Sequence, residues 1–183
     1  MAVVDTARCL DALHWEARKA FLKLGKLFRA ETGLDLRVRT QKGTPCIGGR
    51  RTCATQNAIY AGGGGATHAY GCQSWHVMGR AVDADPIVPS TGNQTGTGPY
   101  AVAGAIWEQL GGKWGGNFPG FADIGHFEWH PGVPIEQACP VPAECEQTTL
   151  AIITKAPMSA WALGIGAFAL VGAALWYRGR FKK

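Results

Sequence analysis

The sequence predicts an α+β fold, a small antiparallel sheet flanked by helices, with one apolar helix appended at the C-terminal end. Three observations carry this. Apolar residues recur at helical spacing near the N-terminus and again after residue 100, short β-prone runs stand between Gly-rich breaks, and an uncharged stretch runs from Met158 to Tyr177. In chain order, Leu10, Leu13, Ala17, Phe21, Leu24 and Phe28 fall on one helical face, so a helix is expected from Asp5 to about Ala30, with Gly33 as its stop and its basic residues as a solvated face. A strand at Leu36 to Thr40 follows. Thr52 is placed to cap a short helix through Tyr60. Gly62 to Gly65 lose too much backbone entropy for a regular element and are expected to form a loop beside a cleft. Ala81 to Ala84 reads as a core strand, Tyr100 to Leu110 as a helix ending at Gly111-Gly112, and Phe121 to Trp129 as the last strand. Pro131 to Pro142 and Glu144-Cys145-Glu146 look like a linker.

The chain of 183 residues is long enough for one domain with a real core once its last thirty or so residues are set aside. The expected organisation is a folded domain over 1–135, a linker over 136–156, a transmembrane helix over 157–177 and a basic tail over 178–183. The formal charge of +5 invites a nucleic-acid reading, but Arg178, Arg180, Lys182 and Lys183 carry four of the 18 basic residues. The remaining 14 stand against 13 acidic residues, so no nucleic-acid surface is indicated. At 1.5 Å per residue the uncharged segment spans about 30 Å, the thickness of a bilayer core. Pro157 suits a first helical turn, and Trp161 and Trp176-Tyr177 suit the two interfacial belts. The lipid bilayer is therefore an expected partner.

The basic tail puts the C-terminus in the cytoplasm and the folded domain outside, on the periplasmic or cell-wall side. Asp5, Arg8 and Asp11 interrupt any apolar leader, so no signal peptide is read at the N-terminus. Insertion after synthesis, for example into the membrane of a lipid-containing phage particle, would reconcile the two. Six cysteines, at 9, 46, 53, 72, 139 and 145, lack the Cys-x-x-Cys spacing of a zinc knuckle. Cys46 with Cys53, and Cys139 with Cys145, are close enough in sequence to close small loops in an oxidising compartment, while an all-thiol chain remains an equal reading.

The chemistry concentrates in two segments. Ser74-Trp75-His76-Val77-Met78-Gly79-Arg80-Ala81-Val82-Asp83 and Asp123-Ile124-Gly125-His126-Phe127-Glu128-Trp129 hold two histidines and two carboxylates among Gly and aromatic residues. A catalytic zinc site takes three ligands from His, Asp or Glu and keeps a fourth position for water. His76, Asp83 and His126 supply such a set, and Asp123 is a carboxylate near enough in sequence to serve as general base. A second register is open, because His126, Glu128 and His130 recur with period two and would share one face of a strand. In that register Glu128 is the base and His130 closes the site.

Gly71 to Asp83 is similar to the S-x-H-x-x-G-x-A-x-D signature of the zinc D-Ala-D-Ala carboxypeptidase and L-alanyl-D-glutamate endopeptidase family, which includes phage endolysins. Arg51 to Tyr60 resembles that family's R-S/T-x3-Q-x2-L/I-Y segment, and Leu110 to Phe118 its L-G-L-x-W-G-G-x-W run, which D-x-x-H-F-E follows. The resemblance spans roughly residues 36 to 130. It implies His76, Asp83 and His126 as zinc ligands, Asp123 as the catalytic carboxylate and Arg51 as the cation that polarises the scissile carbonyl. Arg51 is also readable as a solvated loop residue beside Arg50, and Ser74 as a plain turn residue or one that orients the ligand. The resemblance further implies peptidoglycan stem peptides as substrate and hydrolysis of either a terminal D-Ala or an internal L-Ala-D-Glu bond. It favours the Asp123/His126 register through the Trp-Gly-Gly anchor. The departures, Cys72 before Gln-Ser-Trp-His and Gly62 to Gly65 after the tyrosine, bear on the substrate rim more than on the metal. A metal-binding but inactive structural or adhesion module is the alternative of a different class.

Overall fold

The N-terminal apolar periodicity folds as two helices, α1 (Thr6–Asp11) and α2 (Trp15–Thr32), where the spacing predicts one. The break comes at His14, whose backbone N–H donates to Gly79 O at 2.9 Å while its ring accepts from Glu16 N at 3.4 Å and caps α2. The tie to Gly79 outweighs helix continuation at this point, yet Leu10, Leu13, Ala17, Phe21, Leu24 and Phe28 are all buried, so the predicted face is the buried face. Gly33 ends α2 in the left-handed region at φ 72°, with its N–H on Arg29 O. In the computed structural model the described residues are 6–41, 46–62, 67, 69–139 and 145.

β1 (Asp35–Val38), β2 (Ala81–Ile87), β3 (Lys113–Trp114) and β4 (His126–Glu128) form an antiparallel sheet in the order β1-β2-β4-β3. β2 lies inside this sheet and is buried along nearly its whole length, which suits its run of small and apolar residues around Asp83. The register sets Val38 opposite Ala84, and Asp83 opposite His126. The sequence predicts a last strand over Phe121 to Trp129, and only His126–Glu128 is strand. Residues 123–126 instead form a turn, with Asp123 N–H on Gly115 O at 2.9 Å and His126 N–H on Asp123 O at 3.1 Å.

α3 (Cys53–Ala61) starts at Thr52, whose hydroxyl accepts from Thr55 N at 3.1 Å, and α4 (Gly98–Gln109) packs its Ala103 and Trp107 onto the core. The core joins α2, α4 and the sheet through Phe21, Leu24, Phe28, Val38, Val82, Trp107 and Phe127. Phe21, Trp107 and Phe127 meet one another edge to face, with centroids 6.1–6.5 Å apart. A short α5 (Ile135–Ala138) follows β4.

The cysteines pair as Cys9–Cys46, Cys53–Cys145 and Cys72–Cys139. This replaces the expected local pairs: Cys46 bonds to Cys9 of α1, while Cys139 and Cys145 reach one cluster but each bonds to a cysteine distant in sequence. Cys139 and Cys145, within the stretch expected to be a linker, are thereby bonded back to the domain. The helix expected over 157–177, the tail over 178–183 and most of the linker lie outside the described residues. Among the described residues no helix is long and apolar enough to cross a membrane.

Candidate metal centre

β2 and β4 set the site because their register brings Asp83 and His126 face to face, and the loop before β2 delivers His76. Their ligand atoms, His76 Nε2, Asp83 Oδ1 and His126 Nδ1, lie within 4.8 Å of one another. The separations are 3.1 Å between His76 and Asp83, 2.8 Å between Asp83 and His126, and 3.3 Å between the two histidines. Bonds of about 2.0–2.1 Å at tetrahedral angles require donors about 3.3–3.4 Å apart, so the set needs only small adjustments to take zinc. The residues present fit that metal in type as well as spacing.

Each ligand is held from behind. His76 is buried at 3% exposure, and its Nδ1 lies 2.9 Å from Gly49 O. A carbonyl can only accept, so Nδ1 carries the proton and Nε2 keeps the lone pair that a metal needs. Ser74 Oγ accepts from His76 N at 3.3 Å, which gives that hydroxyl an orienting contact. Burial holds the His76 imidazole below its ordinary pKa, with the nearby Asp83 opposing. Asp83 is fixed along its backbone, its N–H on Gly48 O at 2.6 Å and its carbonyl accepting from Arg39 N at 2.8 Å. A Cβ on Gly48 would collide with Asp83 O, so only glycine permits this approach. Burial alone would raise the Asp83 carboxyl, but His76 and His126 hold it well below the usual carboxylate range.

Arg51 reaches the same carboxylate. Its Nη2 donates to Asp83 Oδ2, its Nε to Ile47 O at 2.7 Å and its Nη1 to the fully buried Gln56 at 3.1 Å. The side chain is thus a buried part of the centre and not a solvated loop residue. Burial lowers its pKa, against the pull of Asp83.

His126 faces a carboxylate on each side, Asp83 through Nδ1 and Glu128 Oε1 through Nε2 at 3.1 Å. Burial would lower its pKa, but these two bonds outweigh it and raise the imidazole to about 9. Glu128, itself 7% exposed, shares its other oxygen with His130 Nε2 at 3.0 Å. Burial disfavours its charge, and His126 and His130 nonetheless pull it down to about 2. His130 stacks flat on Trp75 at 3.9 Å and an interplanar angle of 2°. The structure therefore places His126, and not His130, against His76 and Asp83. The period-two pattern of His126, Glu128 and His130 was legible in sequence, but their use as a chain running back from the centre was not.

Asp123 is half-buried and stands at the turn before His126. Its carboxylate carries no side-chain hydrogen bond among the described residues, in contrast with Glu128. It is close enough to act electrostatically on Arg51 and Arg39. The Trp-Gly-Gly run fixes this turn, because Trp114 Nε1 donates to Ile124 O at 2.9 Å and Gly115 O accepts from Asp123. A Cβ on Gly115 would stand 2.5 Å from Asp123 O and 2.9 Å from His126 Cβ.

The family model described as D-alanyl-D-alanine carboxypeptidase matches residues 67–129, which include His76, Asp83, Asp123 and His126. The segment that bears the site is thus similar to this peptidase family. Among solved structures the chain is similar to the Serratia marcescens L-Ala D-Glu endopeptidase ChiX, at 21% identity and a TM-score of 0.49, over 68% of this chain and 86% of that one. No curated protein sequence matches the chain.

Proposed function

We propose that the protein is a zinc peptidase that hydrolyses the stem peptides of peptidoglycan and is anchored in a membrane by residues 157–177. The observation that carries the reading is the convergence of His76, Asp83 and His126, each locked from behind, in a segment of the carboxypeptidase family. Zinc held there supplies a bound water with a pKa near 7 and a Lewis acid for the scissile carbonyl. Asp123, whose carboxylate is free of side-chain hydrogen bonds among the described residues, takes the proton of the attacking water and passes it to the departing amine. Arg51 fixes Asp83 through Oδ2, leaving Oδ1 toward the histidines, and sets a permanent positive charge where the carbonyl oxygen becomes anionic. Glu128 keeps His126 oriented and its Nε2 protonated, so that Nδ1 is the ligand atom.

The family's substrates contain D-amino acids, which is why stem peptides are the substrate class. The uncharged segment and the basic tail support the anchor, with the domain on the periplasmic or cell-wall side or in a phage virion membrane. Synthetic D-Ala-D-Ala-terminated and L-Ala-D-Glu stem peptides, incubated with wild-type protein and with His126→Ala, test the reading by mass spectrometry. Cleavage of one class by the wild type alone is expected. No cleavage of either would favour an inert metal-binding module.

A further inference from the structure

Four of the six cysteines meet in one place on the far side of the His76 loop. Cys53 is the first residue of α3, Cys72 lies in the turn Gly71–Gln73, Cys139 follows α5, and Cys145 comes from the segment beyond. The sulfurs of Cys53, Cys72 and Cys145 are within 4.8 Å of one another, and Cys139 is bonded to Cys72. Cys53 and Cys145 are buried at 3% and 4% exposure, with Val77 and Met78 in the same cluster and Trp75 and Ala138 against it. The two disulfides therefore lie in one cluster, with Cys53 and Cys145 inside it and Cys72 and Cys139 partly buried at its edge.

Three of these sulfurs stand close enough together to share one metal ion, and Cys139 is joined to one of them, Cys72. Four thiolates around zinc at about 2.3 Å stand about 3.8 Å apart, and structural zinc sites use four protein ligands with none left open. A second observation points the same way. Asn57 is 1% exposed and its Nδ2 has no hydrogen-bond partner among the described residues, while its Oδ1 accepts from Gly71 N at 2.8 Å. Asn57 Oδ1 and Cys145 Sγ flank one point, the Cβ position of Gly71, at 3.6 and 3.7 Å. The buried amide of the residue that holds this turn lacks an acceptor, and a thiolate is a far better acceptor than a disulfide sulfur. Cys53 also opens α3, where the helix dipole favours a thiolate.

We propose that Cys53, Cys72, Cys139 and Cys145 form a second metal centre, with the two disulfides as its oxidised form and a zinc tetrathiolate as its reduced form. On reduction each disulfide takes two electrons and two protons from a dithiol, which leaves as its own disulfide. The four thiols then release their protons to solvent as Zn2+ binds. The centre ties α3 and the Cys72 turn to residues 139 and 145 in either state, so it holds the back of the His76 loop in oxidising and reducing surroundings alike.

The test uses the full chain in detergent, either oxidised or reduced with dithiothreitol and freed of it without air, with thiols counted. Zinc per chain is measured, and Co2+ is then substituted. One equivalent is expected in the oxidised chain and two in the reduced chain, the second giving the intense near-ultraviolet sulfur-to-cobalt band. Cys139→Ser should lose the second equivalent alone, and His126→Ala the first alone, so the two centres fail separately. A reduced chain with six free thiols that holds one equivalent, or binds cobalt without that band, overturns the proposal. So does a reduced chain that stays unfolded in excess zinc, or an unchanged second equivalent in Cys139→Ser.

Discussion

Replacing Glu128 with Gln separates the residue that orients the centre from the residue that does its chemistry. The carboxylate is buried, accepts from His126 Nε2 at 3.1 Å and balances that bond with His130 at 3.0 Å. Gln keeps the size, but only one of its two terminal atoms can accept, so either His126 or His130 loses its acceptor and the negative charge behind the ligand is gone. Partners of this kind behind a metal-bound histidine contribute about 10- to 100-fold in metal affinity, or about 1.4–2.7 kcal/mol. The expected outcome for Glu128→Gln is a loss of zinc affinity within that range, read by competition with a chromogenic chelator. At saturating zinc the turnover of stem peptides should stay within about tenfold of wild type. Unchanged affinity would refute the orienting role. Normal affinity with turnover lost by several orders of magnitude would make Glu128 the base and vindicate the shifted register.

Asp123→Ala should do the opposite, keeping zinc and fold while turnover falls by about 10²- to 10⁴-fold, as measured by single-turnover kinetics and elemental analysis together. His126 holds two protons up to about pH 9 in the metal-free domain, and zinc must displace the one on Nδ1. Because the raised pKa makes the proton a competitor at every pH below that value, apparent zinc affinity should rise about tenfold per pH unit from neutrality toward pH 9. Calorimetry in buffers of different ionisation enthalpy should register about one proton released, and a buffer-independent enthalpy would contradict this. Truncation before Ala156 should yield a protein that needs no detergent, while the full chain resists extraction by salt or alkali. A full chain that is soluble without detergent would remove the anchor.

The parts of this molecule legible in sequence are those where one local cause dominates. Thr52 caps α3 as expected, and the apolar face of Leu10 to Phe28 is the buried face even though the helix is broken at His14. The break itself depends on Gly79, which is distant in sequence, so no local pattern announces it. The expected strand from Phe121 shrinks to His126–Glu128 for a similar reason, since Asp123 and Ile124 are drawn into a turn by Gly115 and the Trp114 indole. In the candidate site, the residue types nominated His76, Asp83, Asp123 and His126, while Arg51 and the choice of register came from the family resemblance. The supports were not legible, because Gly49 acts through its carbonyl and Gln56 through a contact with Arg51 that only the fold creates. Cysteine pairing was the least legible, because sequence proximity says little about which loops the fold brings together.

Purified peptidoglycan sacculi offer the most direct measurement of the central claim. The full chain in detergent should release soluble peptides whose new ends, by mass spectrometry, mark cleavage beside a D-amino acid. Chelation should abolish the release, added zinc should restore it, and His76→Ala should give none. Sacculi left intact by a zinc-loaded, folded wild-type chain, or release that persists unchanged after the metal is removed, would contradict the account.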